Sequence, residues 1–389
     1  MTKSKVLSWV QKYTMIIILV LVLGFFTICT GGKILMPQNI TNIIAQNAYV
    51  FVLATGMLLC ILTGGNIDLS VGSVVCFVGA LGAVFMDKGM NMWLAVILML
   101  VIGLGIGAWQ ALWIAIVRVP PFIVTLAGML IFRGLSNVIL NGQTLSVTNQ
   151  AFVKVFGGGA DCYLPDVTLG NGLKLFALII GAIAAVLYVF LIIRNRMVRK
   201  SKGYTVENTV PFVVKSVLIV AAIIFFTVEL SQYKGIPTAL LWVALVIGIY
   251  AYITSSTTIG RHLYAVGGNE KATQLSGINT NKVYFFAYAN MGLLSALAGM
   301  LTIARMTSAQ PTYGQNYEMD AIGACFIGGA SAYGGIGTVP GVIIGAVLMG
   351  IINIGMSIMG VDANYQKVVK GAVLLAAVIF DVVSKRNKK

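Results

Sequence analysis

The chain has 389 residues, 59% of them hydrophobic and 10% charged, with a mean hydropathy of +0.95. A soluble globular domain carries roughly a quarter charged residues, so this composition excludes that class and points to a membrane-embedded chain. Lys and Arg outnumber Asp and Glu by 26 to 11, a net charge of +15. The excess gathers at the ends of apolar blocks rather than in any nucleic-acid-binding pattern, which sets nucleic acid aside as a partner.

Lys3, Lys5 and Lys12 precede an apolar run over 13–30. The run mimics a signal peptide, but its length and the lack of a small-x-small cleavage pattern read as an uncleaved first helix. Apolar blocks then recur near 43–62, 71–86, 92–117, 122–140, 173–193, 212–228, 239–254, 283–304, 321–337, 341–359 and 365–383. A block of about 20 residues, at ~1.5 Å each, crosses the ~30 Å hydrocarbon core. The expected fold is therefore all-α, a polytopic integral membrane protein with about 10–12 transmembrane helices in a single domain over 1–389. The blocks at 71–86 and 321–337 are short and glycine-rich, which predicts broken or re-entrant helices there. A weak echo links Gly64–Gly72 with Gly328–Gly335, each beside one of these short blocks, as internal repeats in transporters do.

Basic residues set the orientation. With the N-terminus inside, the cytoplasmic side receives Arg118, the cluster Arg194, Arg196, Arg199, Lys200 and Lys202, then Arg261, Lys271 and Lys282, and the tail Lys385, Arg386, Lys388 and Lys389. Most acids fall on the opposite side, among them Asp87, Asp161, Asp166, Glu229, Glu318, Asp320 and Asp362. This bias predicts that both termini are cytoplasmic. The outer loop 141–172, with Gly157-Gly158-Gly159 and Pro165, carries turn chemistry throughout.

The sequence supplies little catalytic machinery. Five cysteines show no metal-ligand spacing, and the single histidine, His262, argues against a histidine-based metal site. Gly32-Lys33 is followed by Ile34, so it fails the phosphate-binding GxxxxGK[ST] pattern, and no other segment fits it. Arg133, Lys367 and Lys370 lie within snorkelling reach of span ends. Asp68 is the lone acid near the second and third spans. It reads either as an N-cap, with Ser70, for a helix opening at Val71, or as part of a translocation pathway with Asn66 and Ser70.

The inner loop 255–282 is too long for a connector. Asn269 resembles a cap, a short helix is expected to run to Ser276, and Gly277 stops it. Gly267-Gly268 interrupts the pattern just before. A short amphipathic helix on this face suits docking of another protein; few basic residues and no large aromatic after Tyr264 argue against a lipid-bound helix. Glu270, in the first turn, is placed to meet a basic residue of that partner. On the outer side, Arg305, Glu318 and Asp320 offer charges to steer a soluble partner, in a loop turned by Pro311 and Gly314.

Several of these segments resemble the permease subunits of bacterial monosaccharide ABC importers. The resemblance is carried by Gly267-Gly268-Asn269-Glu270 and Leu275-Ser276-Gly277-Ile278 within 260–305, and by Thr63–Ser73, where the family usually has one residue fewer between the glycines and the acid. Ser308-Ala309-Gln310-Pro311, Glu318–Ile322, Ile327-Gly328-Gly329 and Tyr365–Gly371 match as well, so the likeness spans nearly the whole chain. The extra spans around 173–228 resemble the longer xylose and multiple-monosaccharide branch. The resemblance implies two permease copies, an ABC ATPase subunit that binds the ATP, and an extracytoplasmic sugar-binding protein, in a bacterial inner membrane. It implies an ATPase-coupling element formed by Gly267, Gly268, Asn269, Glu270, Ala272, Leu275, Ser276 and Gly277, and no cofactor in this chain. A secondary sugar transporter or facilitator is the alternative; a membrane-embedded enzyme is disfavoured by the scarcity of acid–base groups.

Overall fold

A computed structural model describes residues 3–157, 162–170, 172–204, 206 and 208–386. Asp161, Gly158, Gly159, Lys388 and Lys389, used above for loop and orientation, lie outside the described residues. The described chain is almost wholly helical: α1 Lys3–Cys29, α2 Pro37–Gln46, α3 Ala48–Leu62, α4 Val71–Asp87, α5 Met92–Ala111, α6 Pro121–Leu140, α7 Gln150–Phe156, α8 Leu175–Ser201, α9 Thr209–Gln232, α10 Thr238–Ser256, α11 Thr258–Gly268, α12 Glu270–Leu275, α13 Thr280–Met306, α14 Tyr317–Ile327, α15 Val339–Ile358 and α16 Ala363–Arg386. One two-residue ribbon, β1 Leu145–Ser146 with β2 Ser308–Ala309, pairs antiparallel.

Among the described residues, seven helices are long and apolar enough to cross a membrane, or eight if Pro37–Gln46 and Ala48–Leu62 form one span. The polytopic all-α fold is thus present; of the two short blocks, 71–86 is one unbroken helix and 321–337 is interrupted. α4 has 17 residues and α14 only 11. The block expected at 321–337 is not one helix. α14 starts earlier, at Tyr317, and ends at Ile327, because Gly329, Gly334, Gly335 and Gly337 then take positive φ that no helix accommodates. The block at 43–62 is likewise divided at Asn47, whose side chain bonds back to the Ile43 carbonyl and accepts from Asn353.

The sequence reads as one domain, whereas packing groups the chain into two compact units. The larger holds residues 1–34, 43–162 and 238–389, and its centre is α13. This helix buries 78% of its most apolar window, against 33% for α5. Close approach depends on small residues. A Cβ on Gly292 of α13 would overlap the backbone of Gly103 and Gly107 on α5. Buried Tyr288, Met291, Leu294 and Met300 extend the same helix into the core formed with α3 and α4.

The smaller unit holds residues 35–42 and 163–237. Its α8 and α9 form an antiparallel hairpin in which Gly181 faces Thr227 at backbone distance. Asp166 caps α8, accepting the amides of Phe176 at 2.7 Å and Ala177 at 2.9 Å, where a carboxylate also meets the positive end of the helix dipole. Ser231 of α9 closes the same end, accepting the Lys174 amide at 2.8 Å.

Candidate functional site

The connection between α10 and α13 carries most of the expected coupling residues. Thr257 caps α11 by accepting the Gly260 amide. The helix then runs through Gly267 and Gly268 rather than breaking at them; the break falls at Asn269, in extended conformation at φ −161°. Asn269 Oδ1 accepts the Ala272 amide at 3.0 Å and opens α12. Gly277 adopts φ +83°, and the amides of Ile278 and Gly277 return to the carbonyls of Thr273 and Gln274, a Schellman closure that satisfies the helix end. Ala272 and Ser276 are exposed, and the Leu275 side chain is 90% exposed.

Glu270 does not wait for a partner's cation. Its Oε1 pairs with Arg118 Nη1 at 2.6 Å and accepts from Thr280 Oγ1 at 3.1 Å, and its Oε2 accepts from Tyr284 at 3.1 Å. The expectation of an intermolecular ion pair is thereby corrected, since the carboxylate is already neutralised within the chain. Burial alone would raise the Glu270 pKa. Hydrogen bonds from Arg118 and Tyr284, with the guanidinium charge, outweigh it and hold the carboxyl below its ordinary value. Arg118 itself sits at φ +65°, two residues beyond the π-helical stretch Leu112–Ile116, and its other Nη donates to Thr280 and Asn281.

The opposite side of α11 rests on both chain breaks. A Cβ on Gly267 would overlap the Leu62 carbonyl at the end of α3 and the Gly335 amide in the segment after α14. Tyr264 donates to the Gly337 carbonyl at 2.8 Å, and Gly335 donates to Leu62 at 3.1 Å. The two breaks also meet each other: Gly334 lies on Gly64, and Gly65 on the Ala332 carbonyl. The glycine echo in the sequence therefore marks two segments that touch.

Asp68 and Ser70 form a closed polar set. Asp68 Oδ1 accepts the Ser70 amide at 2.8 Å and the Ser70 hydroxyl at 2.6 Å, and Gln110 of α5 donates to Ser70 Oγ at 2.7 Å. Ser70 occupies the cap position of α4, but neither side chain accepts an amide of that helix. Both residues are buried, while Asn66 is half-buried beside Thr63.

The outward-facing reading of Glu318 and Asp320 does not hold, because both are buried, at 9% and 1% exposure. Asp320 accepts from Tyr49 at 2.7 Å and pairs with Lys370 at 2.9 Å, while Tyr49 stacks on Tyr317. The chain turns these acids inward because α14 dips into the bundle instead of lying on its rim. Lys370 and Arg133 turn inward too, Arg133 donating to the carbonyls of Pro311 and Tyr313, so neither snorkels outward; Lys367 remains exposed. Arg305 alone of the three outer-side candidates keeps partial exposure. Sequence reasoning did not give Gln110, Arg118 or Lys370 these roles. The available signals were a lone amide in an apolar block and cations at span ends.

The same frame is found in known proteins. The family described as branched-chain amino acid transport system / permease component matches residues 39–163 and 167–378. The chain belongs to this permease family. The permease is 37% identical over 378 residues to the xylose transport system permease protein XylH of Escherichia coli (strain K12), covering 97% of this chain and 93% of that protein. It is 36% identical to XylH of Haemophilus influenzae, covering 97% of each chain, and 33% identical to the ribose import permease protein RbsC of Escherichia coli (strain K12), covering 98% of this chain and 95% of that one. No solved structure shows a significant match.

Two outcomes follow from these ion pairs. Lys370→Met leaves Asp320 as a buried uncompensated charge and is expected to cost about 3 kcal/mol. The double variant Asp320→Asn/Lys370→Met is expected to recover much of that loss in thermal unfolding of the purified permease. Equal loss in both would remove the ion pair from the account. For Glu270, the depressed folded-state pKa means that its contribution is complete above its ordinary value of 4.5 and is lost as pH falls through the lowered folded value. The population of close spin-label pairs in a protein labelled at positions 119 and 271, read by electron paramagnetic resonance, is therefore expected to be constant from about pH 6 to 8. It should fall in Glu270→Gln at all these pH values; a decline of the parent pair within this window would contradict the assignment.

Proposed function

We propose that this permease is the membrane-spanning subunit of an ATP-driven monosaccharide importer. Two copies form the path, a separate ATPase supplies the work, and an extracytoplasmic binding protein delivers the sugar. The similarity to xylose and ribose permeases over nearly the whole chain supports the substrate class and makes these pentoses the first to test. Both termini, and the α11–α12 segment, are assigned to the cytoplasmic side on the positive-inside bias.

The observation that carries the mechanism is the two-sided character of α11–α12. One side presents Leu275, fully available to a partner. The other side is fastened by Glu270 to Arg118 and by Gly267 to both chain breaks. A displacement of α12 by the ATPase would thus reach the α5–α6 turn, the end of α3 and the segment leading into α15 as one movement. Protein interiors are close-packed and transmit such shifts. Asn66, half-buried at the break, is the pathway candidate best placed to meet sugar; Asp68 and Ser70 act behind it by fixing the start of α4. Arg305 remains the candidate contact for the binding protein. ATP is bound by the partner subunit, and this chain needs no cofactor of its own.

Reconstitution with the ATPase and binding protein tests the proposal through two substitutions. Leu275→Glu is expected to abolish co-purification of the ATPase. Gly267→Ala is expected to retain it, and to retain ATP hydrolysis, while lowering sugar uptake at least tenfold, because the added methyl wedges α11 off Leu62 and Gly335. Orientation is checked in parallel by labelling Ser384→Cys, which a membrane-impermeant thiol reagent should reach only after lysis. Sugar uptake into liposomes by the permease alone would instead establish a facilitator.

A further inference from the structure

We propose that the inner end of the α8–α9 hairpin binds the phosphate of an anionic phospholipid through Arg196, Arg199 and Lys200. The first 19 residues of α8, Leu175–Ile193, carry no charge, and the remainder, Arg194–Ser201, holds four cations. At ~1.5 Å per residue a helix needs about 20 residues to cross the ~30 Å hydrocarbon core. The 27 residues of α8 overrun it, so that Arg194–Ser201 lies at the depth of lipid headgroups.

Arg196, Arg199 and Lys200 follow an i, i+3, i+4 spacing and share one face of α8. Arg196 fixes that face against α9: Nη2 donates to Thr209 Oγ1 at 3.1 Å, and the guanidinium lies 4.2 Å from the Phe212 ring centre. Its Nη1 is buried and, among the described residues, has no hydrogen-bond acceptor. A guanidinium nitrogen withdrawn from water without an acceptor is costly, and the group is a planar fork suited to phosphate. Arg199 and Lys200 stand exposed beside it, and Lys215 of α9 is exposed one and a half turns from the same end.

The apolar surroundings decide between a lipid and an acidic protein. Met197 and Val198 are exposed between the cations and Ile193 just before them, and α8 and α9 bury only 11% and 0% of their apolar windows within the chain. A ligand that fits has an anionic head joined to an apolar tail. Positive-inside topology accounts for the presence of cations here, but not for a guanidinium anchored on Thr209 and Phe212 with a buried nitrogen that still lacks an acceptor among the described residues.

The test uses the full-length purified permease and matched-chain phosphatidylglycerol and phosphatidylcholine, with affinities read by native mass spectrometry or fluorescent-lipid titration. Phosphatidylglycerol is expected to bind tighter, and the preference to weaken at high salt. Arg199→Gln/Lys200→Gln keeps the Arg196–Thr209 contact and three further cations for topology. It is expected to lose about 25-fold in phosphatidylglycerol affinity, about fivefold per cation, with phosphatidylcholine unchanged. Adding Arg196→Gln should bring the loss to about 100-fold. Equal binding of the two lipids by the parent protein overturns the proposal, as does a preference untouched by the double variant. Inorganic phosphate binding as tightly as phosphatidylglycerol would assign the site to a soluble anion, and capture by an acidic surface of the ATPase with no lipid preference would assign it to that partner.

Discussion

A backbone that leaves the helix inside a bilayer gives up its internal hydrogen bonds where no water replaces them. In the larger unit the backbone leaves the helix after α3 and again after α14, and one break is laid on the other. Leu62 receives the Gly335 amide, Ser331 donates to the Ile336 carbonyl, and Asp68 takes the Ser70 amide. The backbones approach so closely that Gly64, Gly65 and Gly334 leave no room for a Cβ. The Gly335–Leu62 bond and these close approaches join the two breaks into one object.

The position of α11 follows from that junction. A helix that must touch both breaks can do so only through a residue without a side chain, which is Gly267. The electrostatics obey the same economy. Asp320 is buried with Lys370, Arg133 spends its donors on the carbonyls of Pro311 and Tyr313, and Glu270 is answered by Arg118. Charges that look like surface features are thus spent on holding segments of this chain together.

The legible part of the fold was what local chemistry decides. Apolar length announced the spans, Asn269 and Gly277 announced the ends of α12, and glycine-rich brevity announced the interruptions. What escaped was direction. Composition cannot say that α13 is enclosed while α9 is bare, since both read as apolar blocks, and it cannot say that Glu318 and Asp320 are buried on α14. Gly267 and Gly268 were read as a helix break on propensity alone. The helix continues through them because Gly267 is needed for contact, an instance of tertiary packing overriding intrinsic preference.

The central place of α13 also bears on assembly. It begins at Thr280, after more than two-thirds of the chain has been synthesised, yet α3, α4 and α5 have their small-residue faces shaped for it. Early helices can enter the bilayer one by one, and α4 can pack on α5 and α6, but the groove they leave for α13 stays unfilled until that late arrival. Contacts of such long sequence separation close slowly. The nascent permease thus spends much of its synthesis as inserted but incompletely assembled spans, with glycine grooves open to lipid and to each other. The hairpin of α8 and α9, whose Asp166, Ser231 and Gly181–Thr227 contacts are internal to it, can complete itself during that interval.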